Sequence, residues 1–407
     1  MIVFSAALLG AALVSAPALA GPRMTFGPDD QGALQIDYKG QFQLNVRDTG
    51  SGGDGNGSTT SLNFRRNRIA LMGRYGEKAS IYVQTEYLED SSLAPLQVRD
   101  GSGESNFEIL DAVLRLKFDE AFRVNVGKYK NSFLRENLEA CENPLTLDRS
   151  LFLRPPFAGT RDRGVGIWGN VADGRFQYRL DVSEGRESAG NRAVPASSPR
   201  FDARIHASLL EPEADYGYKG TYLGKKKVLT VGAAVQHESK VAWADTAGKN
   251  GEADYTGKTV DLFLEYPTPS AGTVTLSGAW ADVDLDDLYR GAAPDPEALG
   301  VTGQRNGWYV KAGYLLPGVP LQLFGRVESW RFASLNNDPN NLPSETVYDQ
   351  EVRWTGLGAN WYVPGVLDPE NPQALKLSFE WSRTDFDREN ATSRDFNAYV
   401  TQLQVVF

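Results

Sequence analysis

Residues 34–47 read Leu34-Gln35-Ile36-Asp37-Tyr38-Lys39-Gly40-Gln41-Phe42-Gln43-Leu44-Asn45-Val46-Arg47. Apart from Gly40 the even positions are apolar, and every odd position is polar or charged. Side chains alternate between faces along an extended chain, whereas a helix groups every third or fourth residue, so this stretch is a β-strand with one apolar and one wet face. Such a strand covers a soluble core or stands between lipid and water.

The rest of the chain separates those two settings. Similar stretches occur near 64–75, 79–89, 109–118, 122–128, 163–171, 175–183, 200–209, 227–237, 258–266, 273–282, 307–315, 320–330, 353–362, 374–384 and 397–407. With 34–47 they make sixteen strands, and an even number of strands of about ten residues suits a bacterial transmembrane barrel. Connections alternate in length. Short turns at 76–78, 119–121, 172–174 and 316–319 separate polar segments at 48–63, 90–108, 129–162, 184–199, 238–257, 283–306, 331–352 and 385–396. The expected fold is all-β: a 16-stranded antiparallel transmembrane barrel with short periplasmic turns and long extracellular loops. A secreted β-sandwich would not put eight long loops on one side. Segments 210–226 and 363–373 are longer than this pattern wants on the short side.

The two ends of the chain agree. Residues 1–20 carry no charge, are rich in Ala, Leu and Val, and end Ala18-Leu19-Ala20, the pattern of a secretory signal peptide that leaves a barrel over 21–407. The last strand places Tyr399, Thr401, Leu403, Val405 and Phe407 on one face and stops on the aromatic, which resembles the C-terminal signal of outer-membrane barrels. After residue 20 no apolar run approaches the eighteen or so residues of a membrane helix. The single cysteine, Cys141, excludes an intrachain disulfide and reads as an unpaired loop residue. No Cys-x-x-Cys-His motif attaches haem, and no cofactor is expected.

The wet face carries the charge. Strands one to eight turn Lys39, Arg47, Arg66, Arg68, Arg74, Arg115, Lys117, Arg123, Arg175, Arg179, Arg200 and Arg204 inward against five acids, Asp37, Glu86, Asp111, Asp181 and Asp202. Strands nine to sixteen turn in only Lys311, Arg326 and Lys376 against Asp261, Glu265, Glu328 and Glu380. The whole chain is at −10, so a net-positive lumen wall implies acidic loops. Basic residues along a narrow aqueous path favour anions. The expected function is therefore passive diffusion of small hydrophilic solutes, anions preferred. Arg66, Arg68, Arg74, Arg115, Lys117, Arg123, Arg179, Arg204 and Arg326 are the expected pore lining. The long segment 129–162 is the third long loop, where porins fold a loop inward. Its bases, among them Lys130, Arg135 and Arg149, are matched by its acids, so it would constrict without adding net field.

Other functions find less support. An outer-membrane hydrolase needs a nucleophile and an oriented base, and neither His206 nor His237 shows such a partner at readable spacing. A sheath around an electron-transfer or secretion partner would need a lumen free of the third loop. The acidic run Asp282, Asp284, Asp286 and Asp287 lacks the glycine and terminal glutamate of a calcium loop, so no metal site and no catalytic residue are expected. Expected partners are small anionic solutes and the lipid and lipopolysaccharide of the outer membrane, with no nucleic acid.

Several motifs resemble the phosphate-selective porin O and P family. They are Phe64-Arg65-Arg66-Asn67-Arg68-Ile69 before Gly73, Gly127-Lys128-Tyr129-Lys130 with Phe133 and Glu136, Leu147-Asp148-Arg149-Ser150, and the strand from Arg163-Gly164-Val165 to Gly169. The resemblance implies a sixteen-stranded barrel, an inward third loop, a homotrimer, and anion transport along arginines and lysines of the lumen. Two features depart from the family: Ser132 stands where proline is common, and the third loop has no lysine cluster that would mark a tight phosphate site.

Overall fold

Each alternating stretch becomes a strand that pairs antiparallel with its neighbour in sequence, since a short turn between two half-apolar strands leaves no closer partner. The computed structural model describes residues 21–87, 107–150, 160–185, 195, 198–245, 250–284, 304–335, 347–368, 370–387 and 394–407. The expected signal segment, 1–20, lies outside these residues. The strands are β1 (Arg23–Phe26), β2 (Gly32–Ser51), β3 (Gly57–Tyr75), β4 (Ala79–Tyr87), β5 (Phe107–Lys117) and β6 (Arg123–Lys130). Then come β7 (Arg161–Val171), β8 (Phe176–Ser183), β9 (Arg200–Ser208), β10 (Val228–Asp245), β11 (Asn250–Thr268) and β12 (Gly272–Asp284). The series ends with β13 (Gln304–Leu315), β14 (Leu321–Leu335), β15 (Val347–Tyr362), β16 (Leu375–Phe386) and β17 (Phe396–Val406).

Strands β2 to β17 form a closed ring of sixteen, with β17 returning to β2 in the register Ala398↔Arg47 to Val406↔Lys39. The terminal residue helps to seal it: the Phe407 and Tyr38 backbones exchange hydrogen bonds of 3.1 and 2.7 Å, and their rings lie 5.4 Å apart. Closure satisfies every ladder without an edge, which the membrane interior demands. The seventeenth strand, β1, was not foreseen. It is four residues long, pairs only with β2, and is exposed along its length.

The burial pattern is that of a soluble protein turned inside out. Leu62, Ile205 and Leu357 are 80%, 65% and 58% exposed, while Gln322, Glu328, Gln402 and Gln404 are fully buried. On β17, Tyr399 and Leu403 face outward and Gln402 and Gln404 inward, as the alternation predicts.

Two expected loops prove to be largely hairpin, and a third is ladder over its described residues. The β2–β3 ladder runs to Ser51↔Gly57, the β10–β11 ladder to Asp245↔Asn250, and the β14–β15 ladder to Leu335↔Val347. Beyond the lipid both faces of a strand meet water, so the alternation that marks a membrane strand fades while the backbone ladder continues. The expected loops 90–108, 184–199 and 283–306 fall mostly outside the described residues, as does half of 385–396. A peptide tag placed in the 52–56 turn is expected to be reachable on intact cells, and a tag at 76–78 only after the outer membrane is opened. The reverse accessibility would invert the barrel.

Candidate functional site

One residue breaks the alternation of β3 and shapes the site. Gln41 pairs with Arg66 and Phe42 with Phe64, so Arg65 is an extra residue, a β-bulge. A bulge re-aims side chains. Here it turns Arg65 and Arg66 into the barrel together, where both meet Asp148, at 2.7 and 3.1 Å. Period-two reading assigns Arg66 to the lumen and misses Arg65. The signal was nevertheless present: exposed apolar residues of β3 sit at even numbers before the bulge (Leu62) and at odd numbers after it (Ile69).

Asp148 belongs to the inward third loop, which leaves β6 at Lys130 and contains a single helical turn, α1 (Arg135–Leu138). Its side chains Phe133, Leu134, Leu138, Leu145 and Leu147 are buried. Phe133 and Leu134 pack with Ala279, Ala281, Tyr309, Trp330, Val352 and Trp354 of β12 to β15. Leu147 packs with Phe324 and Val400. The lopsided charge of the two wall halves now has a cause: strands β12 to β15 present aromatic and small residues because they hold the loop.

Polar contacts fasten the same loop around the ring. Lys39 pairs with Glu142 at 2.8 Å, Lys311 with Glu136, and Ser150 donates to Glu328 at 2.7 Å. Arg326 donates to the Asp148 carbonyl, Asn360 to the Leu145 carbonyl and Gln41 to the Cys141 carbonyl, at 3.1, 3.0 and 3.1 Å. Cys141 is buried, with its sulfur 3.0 Å from Arg68 Nη1. Burial works against an ionised Asp148, yet Arg65, Arg66 and Arg149 hold its carboxyl well below the ordinary carboxylate range.

The expected pore-lining residues occupy three environments. Arg66, Arg68, Arg204 and Arg326 are buried in ion pairs with Asp148, Glu86, Asp261 and Glu380. Arg326 also lies 3.0 Å over the Trp354 ring. Arg74, Lys117 and Arg123 stand at the short-turn rim, the first exposed and the other two sharing Glu120. Arg115 and Arg179 differ. They lie 5.7 and 4.3 Å over the same ring, Tyr216, and neither makes an ion pair among the described residues. Arg179 donates instead to the Gln177 side chain and the Tyr216 carbonyl. Of the expected loop residues, Lys130 donates to the Glu139 carbonyl at 2.6 Å, Arg135 pairs with Glu213 at 2.8 Å, and Arg149 is buried beside Asp148. A net count over strands therefore overstates the free charge, because Glu120, Glu136, Glu142 and Asp148, which pair with Lys39, Arg66, Lys117, Arg123 and Lys311, come from connections.

Tyr216 and Glu213 were not singled out from the sequence. They belong to the connection between β9 and β10, one of the two short-side segments that looked too long, and it folds into the barrel. His206 hydrogen-bonds to Tyr218 of that connection. His237 bonds to Thr256 and Ser239 hydroxyls at 3.0 and 3.2 Å, with no carboxylate to orient it among the described contacts. Asp286 and Asp287 lie outside the described residues.

Solved structures similar to this chain are outer-membrane proteins. The outer-membrane channel DcaP of Acinetobacter baumannii matches with a TM-score of 0.54 at 13% identity, covering 96% of this chain and 100% of that one. OprB of Pseudomonas putida in its high-pH structure matches with a TM-score of 0.58 at 12% identity, covering 93% and 94%. Identities this low speak for the fold. Comparison with curated protein sequences gives no match. The family model described as phosphate-selective porin O and P matches residues 36–407, nearly the whole closed ring, and the chain belongs to that family.

Proposed function

We propose that this porin carries small hydrophilic solutes passively across the outer membrane, that it prefers anions, and that Arg115 and Arg179 supply the preference. Membership of a porin family supports the channel, and outer-membrane proteins of the same fold support the location. The anion preference rests on one observation. Most of the expected pore-lining side chains pair with a carboxylate, but among the described residues Arg115 and Arg179 hydrogen-bond or stack with neutral groups. A guanidinium over a tyrosine ring keeps its charge; Arg115 is half-buried and can meet a passing oxygen, while the buried Arg179 acts through its field. The family description makes phosphate one candidate, alongside other small oxyanions. A homotrimer is part of the proposal; a similar structure, OmpT of Vibrio cholerae, is described in a trimer form.

The test is a reversal potential across a planar bilayer under a salt gradient, with chloride, phosphate and sulfate compared. The expected sign is that of an anion-preferring pore, strongest at low salt, where the Debye length reaches about 30 Å at 0.01 M. A cation-preferring potential at every ionic strength would remove the anion assignment and leave the porin.

A further inference from the structure

Leu209 to Lys227 joins two strands that are already neighbours, since Ser208 pairs with Thr230. A few residues would close that hairpin. Instead the chain enters the barrel from the short-turn end and meets the third loop, which enters from the opposite end. The two backbones pair. Glu139 and Tyr218 form a parallel bridge, with Ala140 donating to the Tyr218 carbonyl at 3.1 Å and Tyr218 to the Leu138 carbonyl at 3.2 Å. Gly220 adds a third bond, to the Asn143 carbonyl at 2.9 Å.

A side-chain latch crosses the same junction. Arg135 of α1 meets Glu213 with two bonds of 2.8 Å, both groups buried, while its guanidinium lies 4.6 Å over Tyr218 and 4.3 Å over Phe263 of β11. Tyr222 and Thr230 each donate to Glu213 at 2.7 Å. Burial opposes ionisation of Glu213, yet Arg135 and these hydrogen bonds hold it at about 2. Such a carboxylate stabilises the latch above its ordinary range and loses that contribution only as pH falls through the depressed value, so the latch persists at physiological pH. Glycine at 220 is a packing requirement: a Cβ there would stand 2.6 Å from the Leu145 nitrogen and 2.9 Å from the Asn143 oxygen, both backbone.

We propose that segment 209–227 is a second constriction element, that it and the third loop act as one unit locked by Arg135–Glu213, and that it sets the pore size and positions Tyr216 against Arg115 and Arg179. The proposal rests on the porin reading and says which residues of the short-turn side define the passage. Three extra tyrosines and a buried acid make little sense in a turn that only reverses the chain. They make sense as one wall of a narrow path.

The experiment compares single-channel conductance of the parent, a variant with residues 212–225 replaced by Asn-Gly, and the milder variants Gly220→Val and Glu213→Gln. Folding is checked for each by resistance of the barrel to denaturation in detergent. The shortened variant is expected to conduct at least about twofold more than the parent, and the two milder ones to show added current fluctuations. Where the shortened chain fails to fold, the milder variants decide. A cysteine pair, Glu139→Cys with Tyr218→Cys in a Cys141→Ser background, is expected to form a reducible cross-link, and its failure to form in a folded barrel would overturn the docking of the two segments. Parent-like traces in folded variants would overturn the second constriction and leave the porin reading standing. A silent parent with a conducting shortened variant would support the constriction, the segment then closing the pore fully. Silence in both would overturn both readings.

Discussion

Replacing Arg115 and Arg179 together by glutamine is expected to lower the anion-to-cation permeability ratio by at least about sevenfold at low salt. A unit charge about 7 Å from a passing ion in a water-like dielectric contributes about 0.6 kcal/mol, or nearly threefold per charge, and the two act on the same ion. The effect should fade by 1 M salt, where the Debye length is about 3 Å. Glutamine keeps a hydrogen-bond donor near the Tyr216 carbonyl and removes only the charge, so folding should survive. Arg74→Gln is the control: it also removes one charge, but from an exposed rim position. Reversal potentials decide the matter. If the double variant matches the parent at 0.01 M salt while folded, these arginines do not set selectivity, and the assignment moves to the ion-paired residues nearer the third loop.

The largest stability effect is expected at Asp148. Its carboxylate is shared by Arg65 and Arg66, all three groups buried, and Asp148→Ala leaves two adjacent guanidinium groups without it. Removing one partner of a buried pair costs about 3–5 kcal/mol. The barrel midpoint in urea should fall accordingly, with Asp148→Asn intermediate because an amide still accepts hydrogen bonds. The loop should not detach altogether, since Arg326 and Lys311 hold the backbone carbonyl of the same residue. The pH dependence has a definite sign. With its carboxyl held below the ordinary range, Asp148 contributes its stabilisation above that range and loses it only in stronger acid. This contribution should therefore be constant from pH 7 to pH 5. An alanine variant as stable as the parent would mean that the third loop is held by its apolar contacts alone.

The two expected results rest on different kinds of information. That Arg115 and Arg179 face the lumen follows from alternation, which is local: lipid on one side and water on the other impose period two residue by residue. The same rule placed all sixteen ring strands and their order, and the short turns dictated antiparallel pairing of neighbours. It also placed the long segment 129–162 where an inward loop was expected.

What alternation cannot supply is a partner. Arg66 and Asp148, or Arg135 and Glu213, are about eighty residues apart, and nothing in a period of two says which acid a lumen arginine will meet. The bulge at Arg65 slips the phase by one residue, so a strictly periodic reading loses one of the two guanidinium groups that bind Asp148. The entry of 209–227 into the barrel is hidden for the same reason: its length was visible, but direction depends on the docking surface offered by Leu138, Glu139 and Asn143 of a distant loop. Strand positions and facing are thus legible because the membrane acts on each residue separately. Neutralisation, constriction and the path left for solute belong to the tertiary structure, because each requires two remote segments at hydrogen-bonding distance.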